Sequence, residues 1–139
     1  WGLWWDDASR PVNLCRYPEV YGGILPYEVL PFVYSSARIV LGLNCHAGSA
    51  TQTSMRPYEA LACGGGIYLS PYTVAQEALF GDAIFQVRDT EETMAAVETI
   101  LGFSEEQRRE RALRAQEEVY AKHDYRRRAE QIVAAFRNL

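Results

Sequence analysis

Three short apolar runs constrain this chain more than any other feature: RIVLGLN at residues 38–44, GGIYLS at 65–70 and AIFQV at 83–87. Each has strand length, and none alternates strictly between apolar and polar residues, the pattern of strands covered on both faces. The segments between them have helical spacing and helix-ending residues. RPYEALA runs into Gly64, Gly65 and Gly66, and TVAQEALF ends on Gly81. Helices that cross over between such strands require a parallel sheet with helices on both faces. The predicted class is α/β.

The flanking segments are read in the same way. WGLWW, residues 1–5, reads as a strand, and residues 6–18 hold turn formers and two prolines. EVYGG, 19–23, reads as a short strand ending on glycines. LPYEVLPFVYSSA, 25–37, reads as a helix with Pro26 in its first turn, and Pro31 imposes a kink or a late start. DTEETMAAVETIL is a capped helix with acids in its first turn. Residues 104–139 form two further helices, one opened by a Ser-x-x-Gln capping box and the other capped by Asp124. The aromatic opening lacks a polar lead-in, so residues 1–139 read as one domain truncated at its N-terminal side.

With 139 residues, 48% of them hydrophobic and 23% charged, the chain has the balance of an ordinary globular domain. Its net charge of -4 and pI of about 5.2 exclude a broad basic face for tracking nucleic acid. No apolar run approaches the roughly 18 residues of a membrane span, and no leader-like segment opens the chain. The location expected is cytoplasmic. Cys15, Cys45 and Cys63 are odd in number and lack a C-x-x-C pattern, so they read as buried, reduced thiols.

In parallel sheets ligands bind beyond the carboxyl ends of the strands. Residues 44–54 form such a loop, the longest small-polar stretch, running straight into a helix with Thr53 or Ser54 as its expected cap. Arg56 opens that helix, where a cation opposes the helix dipole by roughly 0.3–1 kcal/mol. Either it reaches solvent or it meets an anion. Arg56 and Glu59 are three apart on one face, and two readings stand. One is an intrahelical ion pair worth about 0.2–0.5 kcal/mol. The other is a diphosphate site built from Arg56, the helix end and the hydroxyls of Ser49, Thr51, Thr53 and Ser54. In that site Glu59 accepts hydrogen bonds from two vicinal ribose hydroxyls, a task for a group with two acceptor oxygens and no donor.

YSSARIVLGLN, then MRPYEALACGGGIYLS, then EALFG, then HDYRRRAEQI, in this order, resemble the C-terminal half of glycosyltransferases of the GT-B fold. YGGILPYEVLPFVY looks like a further segment of that pattern, so the likeness covers nearly all of residues 1–139. Within the group 1 families, the set that includes the spore maturation protein CgeB is the most similar. The resemblance implies a three-layer Rossmann-like domain with a mainly parallel sheet, the donor-binding half of a two-domain transferase. It implies a nucleotide-diphosphate sugar as substrate, base unknown, with no cofactor and no bound metal. It gives Glu59 the ribose, and it gives Arg56 and the amides near Thr53 and Ser54 the diphosphate. Gly23, Ile24 and Leu25 are candidates for packing the nucleobase, with a plain structural turn as the other reading. The acceptor domain expected on the N-terminal side would supply the general base.

The sequence departs from the pattern at Thr51, where larger retaining families place a second glutamate. This leaves the anomeric outcome open and permits a rival function, a non-catalytic binding or assembly module in spore or cell-surface maturation. A receiver domain fits less well, because no acidic cluster follows a first strand. His46 either contacts the donor or is structural. His123 reads as a helix-junction residue, Tyr125 as a packing anchor, and Arg126–Arg128 as a solvated face or one turned toward an absent partner. Trp1, Trp4 and Trp5 read as core, as a former interdomain surface or as a sugar platform. Pairing with another copy is expected to compensate for the missing upstream strand.

Overall fold

The computed structural model describes residues 6–9, 13–43 and 49–137. The expected first strand, its tryptophans, Cys45 and His46 lie outside the described residues. The chain divides into two compact units, Trp1–Leu30 and Pro31–Leu139.

The described residues of the first unit form turns. The Asp7 carboxylate accepts from the backbone N–H and the hydroxyl of Ser9, and Asn13 accepts from the N–H of Cys15 at 3.1 Å. The strand expected at EVYGG is instead a 3-10 turn, Pro18–Val20. Val20 and Tyr21 donate back to the carbonyls of Tyr17 and Pro18, which uses N–H groups that a strand would offer to a neighbour. A second 3-10 turn, Tyr27–Val29, precedes helix α1, Leu30–Ser36. Pro31 thus sits in the first turn of a late-starting helix, where its missing N–H costs nothing. Cys15 is exposed, contrary to the buried thiol expected there, and its Sγ donates to the Asp6 carbonyl.

The second unit holds a parallel sheet of three strands in the order β1-β2-β3. β1 is Ile39–Leu41, β2 is Ile67–Pro71 and β3 is Phe85–Val87; Ile39 pairs with Ile67, and Leu69 with Phe85. Helix α2, Arg56–Ala62, connects the first two strands, and helix α3, Val74–Phe80, connects the last two. Helices α4, Thr90–Gly102, α5, Glu105–Lys122, and α6, Tyr125–Arg137, follow. Their expected starts are met: Asp89, Ser104 and Asp124 each accept a first-turn N–H, and Ser104 and Gln107 complete the capping box.

β2 divides the core between two faces. Tyr68 points to one side, with Val40, Ala60, Leu61, Phe80, Ala115 and Val119. Ile67 and Leu69 point to the other, with Val87 and Ile100. Helices α2 and α5 therefore cover one face and α4 the other, giving the three-layer α/β architecture. β1 departs from the expected strand covered on both faces, since only Val40 is buried there and Leu41 is 58% exposed. Among the described residues β1 pairs with β2 alone.

The glycines after α2 serve its junction with two neighbours. Gly64 has φ of +66°, which reverses the chain out of the helix. At Gly65 the backbone of Ser35 approaches so closely that a Cβ would overlap it. The carbonyl left over at Ala62 accepts from Gln116 Nε2 at 2.6 Å and from Tyr120 Oη at 3.2 Å, so α5 caps α2 from the side.

Candidate functional site

The loop expected to hold a ligand spans the carboxyl ends of β1 and β2. The Ala50 carbonyl accepts from the Ala75 N–H at 3.2 Å, and the Gln52 carbonyl from Thr73 Oγ1 at 3.0 Å. Both anchors belong to the start of α3, Thr73 as its N-cap and Ala75 in its first turn. That turn rests on a buried polar network in which Ser70 Oγ donates to Gln76 Oε1 at 2.8 Å and the Thr73 hydroxyl accepts from the Gln76 N–H. Toward β1, the Tyr68 phenol fills the space above Gly42, with Ser54 close by.

Here the structure departs from the sequence reading. Neither Thr53 nor Ser54 caps α2; its N-cap is Met55, with no side-chain cap hydrogen bond. Ser54 lies beside Tyr68, and Thr53 Oγ1 points to the Ser54 carbonyl at 3.5 Å. The helix has only seven residues, and Pro57 in its first turn has no N–H to offer. Charge for an anion at this end therefore comes chiefly from the Arg56 side chain.

Arg56 is exposed and Glu59 half-buried. Among the ion pairs of the described residues none joins the two, so the intrahelical pair suggested by their spacing does not form. The Arg56 guanidinium and the Glu59 carboxylate both lie near enough to Tyr34 to act on its phenol electrostatically, and Glu59 acts on Cys63 as well. Positions 56, 59 and 63 share a stripe along α2, while Pro57, Ala60 and Leu61 turn to the core.

Burial raises the Tyr34 phenol above its ordinary range; Arg56 opposes that shift and Glu59 adds to it. Tyr68 is pushed up to about 12, again by burial, against the pull of Arg56 and Ser54. Both phenols stay protonated at neutral pH, so the cluster presents hydroxyls, one cation and one carboxylate. Burial, with help from Glu59, also raises the Cys63 thiol. Among the described residues no group of His, Cys, Asp and Glu side chains is arranged to hold a metal ion.

Of the other predicted site residues, Gly23 has φ of +79° and Ile24 is 68% exposed, both in the first unit. Ser49 is half-buried and Thr51 exposed. Two hollows of the surface run along α6, and a pocket of about 150 Å3 is lined by Phe85, Arg111 and Arg114 with their neighbours; Arg56 and Glu59 line none of these three. Sequence reasoning missed Tyr34 and Tyr68. Both sit in apolar surroundings that read as core, and only their hydroxyls reach the cluster.

The model of a glycosyl transferase-like family matches residues 1–134. The chain belongs to that family. No curated protein and no solved structure matches it. The glycosyl transferase-like domain has its parallel sheet and layered helices in the arrangement that the resemblance implied. Among its described residues no helix is long and apolar enough to cross a membrane.

His123 closes α5 as a junction residue, as expected. Its Nδ1 accepts from Arg128 at 2.6 Å, so Nε2 carries the proton and donates to the Leu79 carbonyl at 3.0 Å. Burial holds its pKa below the usual value, and the ring packs against Tyr58 and Phe80. Tyr125 is not the anchor expected: it is 85% exposed, and the packing is done by His123 two residues earlier.

Proposed function

We propose that this domain binds a nucleotide-diphosphate sugar, as the donor half of a GT-B glycosyltransferase that passes the sugar to an acceptor held by a second domain. The observation that carries the reading is the unpaired placement of Arg56 and Glu59 on one face, where the loop across the carboxyl ends of β1 and β2 enters α2. A cation and a carboxylate kept apart suit a ligand with an anionic part and a diol.

In this reading Arg56 meets the diphosphate, helped by the hydroxyls of Thr53 and Ser54, and Glu59 takes the ribose. The leaving diphosphate is stabilised by fixed charge and dipoles rather than by a metal ion. Gly23 and Ile24 contact the base, and His46 the sugar or diphosphate. Thr51 cannot supply a carboxylate to the sugar, so that recognition falls to other groups. The general base then comes from the acceptor domain. A second copy is a further partner in this reading.

A second reading, a binding or assembly module of the same fold in cell-surface or spore maturation, is favoured by Thr51 alone. Titration with UDP, GDP and TDP, followed by melting temperature, separates the two. The donor reading expects a rise with one of them. Loss of a charged hydrogen bond costs about 1.5–3 kcal/mol, so Arg56→Ala should weaken that diphosphate about ten- to a hundredfold. The parent nucleoside should be affected less. Glu59→Gln should weaken both ligands. Wild-type affinity in both variants removes this site, and silence toward all three nucleotides favours the module.

A further inference from the structure

No residue from Ser49 to Arg56 is buried, so the loop that leads into the candidate site has no apolar anchor of its own. Hydrogen bonds tie it to the start of α3 instead. The Ala75 N–H donates to the Ala50 carbonyl at 3.2 Å, and Thr73 Oγ1 donates to the Gln52 carbonyl at 3.0 Å. We propose that Thr73 is the positioning residue of this loop, holding it where Arg56 and the hydroxyls of Thr53 and Ser54 can meet a diphosphate. The proposal rests on the donor-site reading and says how that site is set before the ligand arrives.

Thr73 differs from the other capping residues. Asp89, Ser104 and Asp124 are exposed, and the side chain of each accepts from the first turn of its own helix. Thr73 is only 4% exposed, and its hydroxyl serves two segments at once. It accepts from the Gln76 N–H at 3.1 Å, which turns its single proton away from α3 and toward the loop, 21 positions earlier in the chain. The Thr73 N–H donates to Gln86 Oε1 at 3.2 Å, and Gln86 Nε2 donates to Glu77 Oε2 at 2.7 Å. The residue is thus held from β3 as well as from α3.

Among the described residues the buried polar side chains are Ser70, Thr73 and Gln76, and hydrogen bonds join them into one cluster. Burying a polar group costs free energy unless it is hydrogen-bonded, and a half-satisfied network is worse than an apolar core. Apolar side chains could fill the junction of β2 and α3, but they could not offer a proton to a loop carbonyl. The cluster's one bond to the loop is the Thr73 hydroxyl, and the segment it holds enters α2 at Arg56. A loop fixed in advance need not be ordered when the ligand binds.

The test uses the full-length protein as wild type, Thr73→Ala, Thr73→Ser, Arg56→Ala and Ser104→Ala. Each is titrated with inorganic pyrophosphate and with UDP, GDP and TDP at a temperature where every variant is folded. Thr73→Ala and Ser104→Ala both lose a helix cap, so both should melt lower. Thr73→Ala alone of the two should also bind the diphosphates about three- to tenfold more weakly. Thr73→Ser keeps the hydroxyl and should restore affinity. Hydrogen exchange gives a readout in wild type by itself. The Ala75 N–H, second in α3, should exchange more slowly than the Glu91 N–H, second in α4, and Thr73→Ala should lose that protection. Wild-type affinity in Thr73→Ala, an equal loss in Ser104→Ala or no recovery in Thr73→Ser overturns the proposal, as does an unprotected Ala75 N–H in wild type. If Arg56→Ala loses binding while Thr73→Ala does not, the donor reading survives and only this inference falls. If wild type binds none of the probes, both fall together.

Discussion

Replacing Gly65 by alanine tests the junction on which the site depends. A Cβ at this position would overlap the carbonyl oxygen, Cα and carbonyl carbon of Ser35, all of them backbone atoms with no rotamer to escape into. Overpacking of this kind costs typically 1–3 kcal/mol, and the rigidity of the neighbour argues for the upper end, about 3 kcal/mol. Against it stands a gain of roughly 0.4–1 kcal/mol, because alanine narrows the unfolded ensemble. The net loss is about 2 kcal/mol. For 139 residues each kcal/mol moves the melting temperature by about 3–5 °C, so Gly65→Ala should melt about 6–10 °C lower. The control is Gly102→Ala near the end of α4, where an added Cβ meets nothing within 4 Å. The same chemical change there should raise the melting temperature slightly. Circular dichroism at 222 nm with both variants reads the contrast, and a urea series checks that the transition stays two-state. A Gly65→Ala protein as stable as wild type would falsify the close approach.

Three further outcomes follow from contacts already described. The folded pKa of His123 is lowered, so the unfolded chain binds its proton first on acidification. Stability should be highest above about pH 6.5 and fall from there toward the folded pKa. The wild-type advantage over His123→Gln in urea melts should shrink across that window, and growth on acidification refutes the neutral-ring assignment. Gln116→Ala and Tyr120→Phe each remove one bond to the Ala62 carbonyl and should cost about 0.5–1.5 kcal/mol apiece. The double variant should cost more than their sum, since the carbonyl then has neither partner; strict additivity counts against shared capping. Arg56→Ala should also flatten the dependence of nucleoside-diphosphate affinity on salt, whereas Glu59→Gln should leave it unchanged.

The parts of the fold legible in the sequence are those fixed by local chemistry. IYLS is apolar at every position but its last, and Thr73, Asp89 and Ser104 precede their helices with the right side chain for an N-cap. Those elements form as read, and with them the parallel sheet. The departures occur where a distant group takes over a local one. Ser54 has the chemistry of a cap, but the N-cap falls one residue later, at Met55, and Ser54 lies beside Tyr68 of another element. Near Tyr17 the N–H groups close turns on themselves, which no alternation pattern reveals. At the candidate site the sequence could place Arg56 and Glu59 on one face, because helical spacing decides that. It could not tell that they stay apart, because spacing brings two side chains to one face without fixing the conformers that would close the pair.

β2 has a consequence for how this chain can change. Its alternate residues serve opposite layers, and on one side Tyr68 and Ser70 also support the loop of the candidate site. Insertion or deletion of a single residue just before Ile67 would swap the two sets, sending phenol and hydroxyl toward α4 and aliphatic groups toward α2. Folding and ligand recognition would be lost in one event, so descendants of this sequence can vary the strand by substitution but not by changing its length.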